Sequence, residues 1–159
     1  MISVNAGEWQ GLEGMGEEML VEMKPKAERL MWKAGTQFQA ALKLKLSGGR
    51  SGIPYPASKR GPAHVASAKG EPPAVWHGAL RDSMGFSRPK WAGWTVSMEV
   101  GSGLGVGGDG KESPAYARRL EYGGISFHPW PVYIAKRPYM APTEAKMEPV
   151  LQRLFEAGL

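Results

Sequence analysis

The sequence predicts an α+β domain: a small antiparallel sheet with a long N-terminal helix and a C-terminal helix packed on one face, plus a long Gly/Pro-rich arm. Apolar residues recur at helical spacing near both ends of the chain, whereas residues 94–100 alternate apolar with polar side chains. Glycine (22 residues) and proline (13 residues) are concentrated in two stretches, 47–78 and 101–124, which is typical of long loops. One domain over residues 1–159 accounts for this pattern.

The N-terminal third predicts one strand and two helices. The alternation in residues 2–6 indicates a short strand, and the helical period starts at Leu12. Pro25 lacks a backbone donor and disfavours a helical residue before it. We therefore expect one helix over 12–23 and a second helix that begins with Pro25 in its first turn and runs to about Leu46.

Residues 47–78 follow neither period, and we interpret them as an extended loop or arm. Two strands are expected after it, one around residues 80–86 and one over 94–100. The second strand should bury alternate apolar residues and leave the polar ones on a wet face.

Two helices and one strand are expected in the rest of the chain. Ser113 and Pro114 suit the start of a short helix, and Gly123 suits its end. Residues 130–138 predict one more strand. The last 19 residues predict a helix with one apolar face, formed by Met147, Val150, Leu151, Leu154 and Phe155.

Composition excludes several classes of site. The chain has no cysteine, which removes disulfides, thiolate zinc sites and cysteine nucleophiles and favours a reducing compartment. No apolar run is long enough to cross a membrane, and the N-terminal residues lack the pattern of a secretory signal. A formal charge of +5 is a modest basic excess, compatible with polyanions or with acidic proteins.

The patterns that could indicate an enzyme or a cofactor are weak. Three glycines match the spacing of a dinucleotide-binding loop: Gly103, Gly105 and Gly108. The expected helix begins about six residues later, so a flexible loop explains them better. Three histidines lack metal-site spacing: His64, His77 and His128. No paired carboxylates or nucleophile–base arrangement stands out, and we predict no enzyme activity, metal or cofactor.

The arm holds the best candidates for binding. Its four cations could meet DNA or an acidic partner: Arg50, Lys59, Arg60 and Lys69. Tyr55 and Trp76 could stack on bases, as in proteins that bind single strands. A flexible arm that orders against another protein is the alternative, and we favour it.

The chain resembles a family of small neck proteins of long-tailed (siphovirus-type) bacteriophages, the head–tail joining or tail-completion proteins. Five short sequence phrases occur here in the order found in that family. They are GRSGIPY, HVASAKGEPPA, GALRDSM, YARRLEYGG and KRPYMAPT, and they run from about Gly49 to the C-terminal helix. The chain departs from the family's Gly-Thr pattern at Gly123-Gly124. It also carries a long insertion, ISFHPWPVYIA, before Arg137.

The resemblance implies a structural virion protein of the phage neck that assembles in the host cytoplasm. Such proteins form a homo-oligomeric ring, here expected to be a hexamer with a dodecamer as the alternative. The implied partners are the head connector or adaptor proteins, the tail terminator or tail-tube protein, and the genomic DNA that passes through the lumen. No membrane, catalytic residue or cofactor is implied. A tail terminator that caps the tail tube, or a small basic nucleic-acid-binding domain, is the alternative function.

This role assigns residues to an interface with a neighbouring subunit or partner: Tyr55, His64, Pro72, Pro73, Trp76, Glu121 and Arg137. Pro72-Pro73 would stiffen the arm and lower the cost of ordering it, and Trp76 would be its anchor. The alternative is that Trp76 packs on its own sheet. Glu121 and Arg137 are expected to pair, either within one subunit or across a ring contact.

Overall fold

The structure is a computed structural model that describes residues 2–4, 17–59, 61–75, 77–93, 95–106, 114, 116–127 and 130–158. Its helices are α1 (Glu17–Ser47), α2 (Ala79–Asp82), α3 (Ala117–Tyr122) and α4 (Met140–Gly158). Its strands are β1 (Ile2–Val4), β2 (Pro54–Tyr55), β3 (His64–Val65), β4 (Met84–Phe86), β5 (Lys90–Ala92), β6 (Thr95–Met98), β7 (Val100–Ser102), β8 (Gly124–Phe127) and β9 (Pro131–Ile134). The predicted α+β class is confirmed: α1 and α4 pack together with small antiparallel sheets.

The long helix α1 is continuous, so the predicted break at Pro25 is wrong. Proline removes one helical hydrogen bond, the one to the carbonyl of Val21. Val21, Lys24 and Pro25 are all exposed, and the helix tolerates the missing bond because water can reach that carbonyl. The predicted helix over 12–23 is partly outside the described residues.

The strands form four small sheets rather than one. β6 lies between β1 and β5, and the predicted first strand is confirmed as β1, with Ile2 opposite Met98. β4 pairs with β7, β2 with β3, and β8 with β9. The predicted strand over 94–100 is interrupted at Glu99, and its two halves, β6 and β7, pair with different strands. The sequence around residue 80 forms the single helical turn α2 before β4, instead of one longer strand.

The core lies between one face of α1, strands β4, β6 and β7, and α4. Buried side chains on α1 recur at helical spacing, from Leu30 to Leu46. Val96, Met98 and Val100 are buried, as the alternation predicted. From α4, Met147 and Leu151 complete the core, whereas Val150, predicted on the same face, is 41% exposed.

Gly35 lets α1 approach the sheet closely. A Cβ atom at this position would lie 2.8 Å from Met98 Cε and 2.8 Å from a ring carbon of Phe86. Two polar contacts fix the same interface: Gln39 Nε2 donates to the carbonyl of Met84 at 2.8 Å, and Trp91 Nε1 donates to Glu28 at 2.8 Å.

The segment after β7 differs from the prediction in detail. α3 begins at Ala117, three residues after Pro114, and Ser113 is outside the described residues. It buries Ala117 and Glu121, whereas Tyr116, just before the helix, is 43% exposed. Gly123 ends the helix at φ 76°, a conformation that favours glycine.

Candidate functional site

Within the predicted arm, residues on either side of its turn pair as a short β-hairpin. Tyr55 lies opposite His64, and the hairpin is extended by backbone hydrogen bonds from Gly52 N to Ala66 O (3.0 Å) and from Ala66 N to Ile53 O (2.9 Å). A Cβ atom on Gly52 would lie 2.5 Å from the carbonyl oxygen of Ala66, so this pairing requires glycine. Two-residue strands carry no readable period, which explains why periodicity missed them.

The Tyr55 and His64 rings stack across the hairpin. Their centroids are 5.2 Å apart and their planes differ by 11°. Tyr55 remains 48% exposed, with exposed Ile53 and Val65 nearby along the two strands. The structure therefore brings the two predicted interface rings together on an accessible element.

Arg50 fixes the arm to the end of α1. Its guanidinium donates to carbonyls of the last helical turn, at 3.1 Å from Lys45 O and 2.9 Å from Leu46 O. It also donates twice to the Pro73 carbonyl, at 3.1 and 2.7 Å, and once each to the carbonyls of Gly48 and Gly49. Burial lowers the Arg50 pKa, and the charge of Glu71 opposes that shift. Because its donors are engaged inside the chain, Arg50 holds the arm to α1, and its contact with DNA or an acidic partner stays a prediction.

Glu71 makes the second attachment. Its carboxylate accepts hydrogen bonds from Ser51 Oγ (2.6 Å), Ser51 N (3.1 Å) and Ala68 N (2.8 Å). These bonds, above all the one from the Ser51 hydroxyl, lower the Glu71 pKa. The sequence interpretation missed this residue, although it is the one acid among the cations of the arm.

The two prolines belong to the base of the arm. Pro73 is buried and its carbonyl is the acceptor for Arg50, while Pro72 is half-buried. Their rigidity therefore acts where the chain returns to α1, and their contact with a partner stays a prediction. The proposed anchor Trp76 is outside the described residues.

Two of the four candidate cations of the arm remain accessible. Lys59 lies in the turn of the hairpin, where Ser58 and Gly61 bond each other's backbone, and Lys69 lies in the turn before Glu71. Both are exposed, and neither forms an ion pair with another described residue. Arg60 is outside the described part of the chain.

Glu121 and Arg137 do not pair within the described chain. Glu121 is only 8% exposed, and its carboxylate accepts backbone hydrogen bonds from Tyr139, Met140 and Ala141 at 2.7, 3.0 and 3.0 Å. It therefore caps the N-terminus of α4 from outside the helix, where a negative charge is favourable. A buried, saturated carboxylate is also poorly placed to reach a neighbouring subunit.

Arg137 lies where the base of the arm meets the end of β9. Its backbone N–H donates to Leu120 O at 2.7 Å, and Nη2 makes a long contact of 3.4 Å with Ser67 O. Its Nε is buried and has no partner among the described residues. Gly70 N donates to Lys136 O at 3.3 Å beside it. The arm and the β8–β9 hairpin thus originate from one junction.

Among the described residues, no group of three or more His, Asp or Glu side chains could hold a metal ion, and no helix is long and apolar enough to cross a membrane. An open groove of about 340 Å³ is lined by Arg118, Arg119, Tyr122 and Gly123. Comparison with protein-family models, curated protein sequences and solved structures found no match for this chain.

Proposed function

We propose that this chain is a structural protein of the neck of a long-tailed bacteriophage. It would assemble as a ring, with six copies as the favoured number, between the head connector and the tail. The genomic DNA would pass through the lumen of that ring. The proposal starts from the five phrases that resemble the head–tail joining family.

The observation that carries the proposal is an arm that is held rigidly at its base while its apolar side chains stay accessible. Arg50 and Glu71 fix the base, and Ile53, Tyr55 and Val65 are exposed by 67%, 48% and 40%. A rigid element loses little conformational entropy when it binds, so more of its contact area contributes to affinity. A ring subunit needs such an element, because a heterologous contact joins two different surfaces of neighbouring copies.

The phrases that carry the resemblance contact one another in two pairs. GRSGIPY and HVASAKGEPPA meet in the arm, through Gly52 with Ala66 and Arg50 with Pro73. YARRLEYGG and KRPYMAPT meet at the cap of α4, through Glu121 with Tyr139. Four of the five phrases thus build the arm or secure the last helix, and GALRDSM forms α2 and the start of β4.

The test is to delete the gene from its parent phage genome and to view the lysate by negative-stain electron microscopy. The expected result is DNA-filled heads and complete tails that are not joined, restored by supplying the protein from a plasmid. Tails of abnormal length would assign the protein to the tail-terminator side instead. Intact, infectious particles would refute a neck role.

The arm is tested in the same complementation assay. Replacing Ile53 and Val65 with Ser should leave a folded protein that fails to join heads to tails. The control is Val21→Ser with Leu44→Ser, because both residues are 72% exposed on α1, outside the arm. If the arm variant and the control join heads to tails equally well, the arm is not a contact surface.

A nucleic-acid-binding domain is the competing function, and it makes a different prediction. The isolated chain would bind duplex DNA with an affinity that falls steeply as salt is raised. Changing Lys59 and Lys69 to Glu would abolish that binding. A ring subunit, in contrast, would bind DNA weakly before assembly, because its cations converge only in the complete ring.

A further inference from the structure

Large apolar side chains at the end of α3 and along the β8–β9 hairpin are exposed among the described residues. We call this surface the hairpin patch, and its members are Tyr122, Ile125, Trp130, Val132 and Tyr133, exposed by 70%, 53%, 76%, 56% and 74%. Ile125 lies opposite Tyr133 on one face of the hairpin, whereas Val132 points to the other face. Both faces are therefore accessible, and the extensive contacts of each strand are with the other strand.

The exposed apolar area of the hairpin patch, summed over both faces of the hairpin, approaches the area of one side of a protein interface. A fully exposed side chain of these types offers about 150–250 Å², so the exposed fractions together correspond to roughly 650 Å². A standard interface buries about 800 Å² per partner, so a partner that encloses both faces of the hairpin would bury an area of this order. A two-stranded hairpin is also marginally stable in water without packing, so a partner would stabilise its fold.

The charged residues near the hairpin patch indicate which kind of surface can bind to it. Residues 123–135 contain no Asp, Glu, Lys or Arg, so the hairpin itself carries no cation for phosphates and no charge for another ionic ligand. Arg118 and Lys136 are exposed on either side of it. Two identical patches placed face to face would bring these cations together, which is unfavourable. The charges therefore favour a partner surface other than an identical hairpin patch.

We infer that the hairpin patch packs against a second copy of this chain in a heterologous contact. The inference rests on the proposed ring and deepens it. The arm and the β8–β9 hairpin originate from one junction, where Gly70 N bonds Lys136 O, so each subunit carries two distinct apolar projections. A closed ring requires two different contact surfaces on each subunit, and the hairpin patch is the larger of these two projections.

The test is sedimentation velocity on the purified full chain over a concentration series. Wild-type protein should form oligomers, and Val132→Ser with Tyr133→Ser should weaken self-association by at least about tenfold. Val21→Ser with Leu44→Ser is the matched control, because it removes equally exposed apolar side chains from α1 and should associate like wild type. Thermal unfolding followed by circular dichroism establishes that each variant is folded.

Hydrogen exchange provides a readout that needs no mutation. Amides of residues 124–134 should become protected as the wild-type concentration rises through the association range, while amides of the exposed face of α1 should not. Unchanged self-association in the hairpin variant, a wild type that stays monomeric, or exchange independent of concentration would each overturn the inference. The neck proposal is judged separately, since joined particles after gene deletion would refute it whatever the sedimentation result.

Discussion

The carboxylate of Glu121, at the end of α3, accepts a hydrogen bond of 2.7 Å from the backbone N–H of Tyr139, just before α4. The same carboxylate accepts the N–H groups of Met140 and Ala141. The first N–H groups of a helix have no partner within it, and a negative charge near them is favourable. One side chain from a short helix thus fixes the start of a long helix that completes the core.

Replacing Glu121 should therefore destabilise the protein substantially. We expect Glu121→Ala to lower the free energy of unfolding by about 2–4 kcal/mol, because it leaves three backbone donors without their charged acceptor. Glu121→Gln keeps one carbonyl oxygen and should cost about 1–2 kcal/mol. Urea unfolding measures both changes. Glu144→Gln, at an exposed position on α4, should change stability little, and an equal effect of Glu144→Gln and Glu121→Gln would contradict the capping role.

Arg50 should control the order of the arm more than the stability of the core. Arg50→Ala removes the bonds to Pro73 and to the end of α1, so we expect faster tryptic cleavage after Lys59 with unchanged helical circular dichroism. Arg50→Lys should resemble Arg50→Ala, since a single ammonium cannot reproduce the forked guanidinium contacts. Lys69→Ala removes an exposed cation from the same segment and serves as the control. Cleavage at the wild-type rate in Arg50→Ala would refute this role.

The elements that sequence reasoning predicted well are those in which a periodic apolar face meets the core. The alternation of Val96, Met98 and Val100 and the helical spacing on α1 both survive in the structure, because burial of those side chains stabilises the elements that carry them. Local rules failed where tertiary context decided the outcome. Pro25 is tolerated inside α1 because this side of the helix is exposed to solvent. A rule that considers the proline alone cannot know which side of the helix is exposed.

The candidate site was harder to predict, because its residues act through backbone groups that composition does not reveal. Arg50 looked like a free cation and Glu121 like half of an ion pair, yet both are saturated by main-chain partners. Glu71 was the available signal for the anchored arm, as the one acid among several cations. The hairpin β8–β9 was predicted only as its second strand, since Gly123-Gly124 obscured the start of the first.

Gly35 should resist enlargement despite lying in a helix. Alanine gains about 1 kcal/mol of helix propensity over glycine, but its Cβ would overlap the ring of Phe86 and the end of Met98, which costs about 1–3 kcal/mol in a packed core. We expect Gly35→Ala to lower the free energy of unfolding by about 1 kcal/mol, measured by urea unfolding. Gly49→Ala, where no atom lies within 4 Å of the new Cβ, is the control. A stabilised Gly35→Ala variant would show that the two side chains move aside at little cost.

Tyr139 should make the fold sensitive to alkaline pH. Burial, with a contribution from the charge of Glu121, raises the pKa of Tyr139 to about 12, above the usual value of about 10 for an unfolded chain. Between these two values the unfolded state releases the phenolic proton while the folded state retains it. Stability is therefore complete below about pH 10 and falls as pH rises toward about 12, by about 2–3 kcal/mol for a shift of this size.

The measurement is urea unfolding at about pH 8 and about pH 11, for wild type and Tyr139→Phe. Phenylalanine has no proton to release, so the variant should lose less stability than wild type between the two values. Tyr116, whose pKa is also raised by burial but whose side chain is 43% exposed, contributes a smaller loss that Tyr116→Phe would isolate. If wild type and Tyr139→Phe decline in parallel, another group governs the alkaline limit, and the buried phenol next to the Glu121 cap does not couple ionisation to folding.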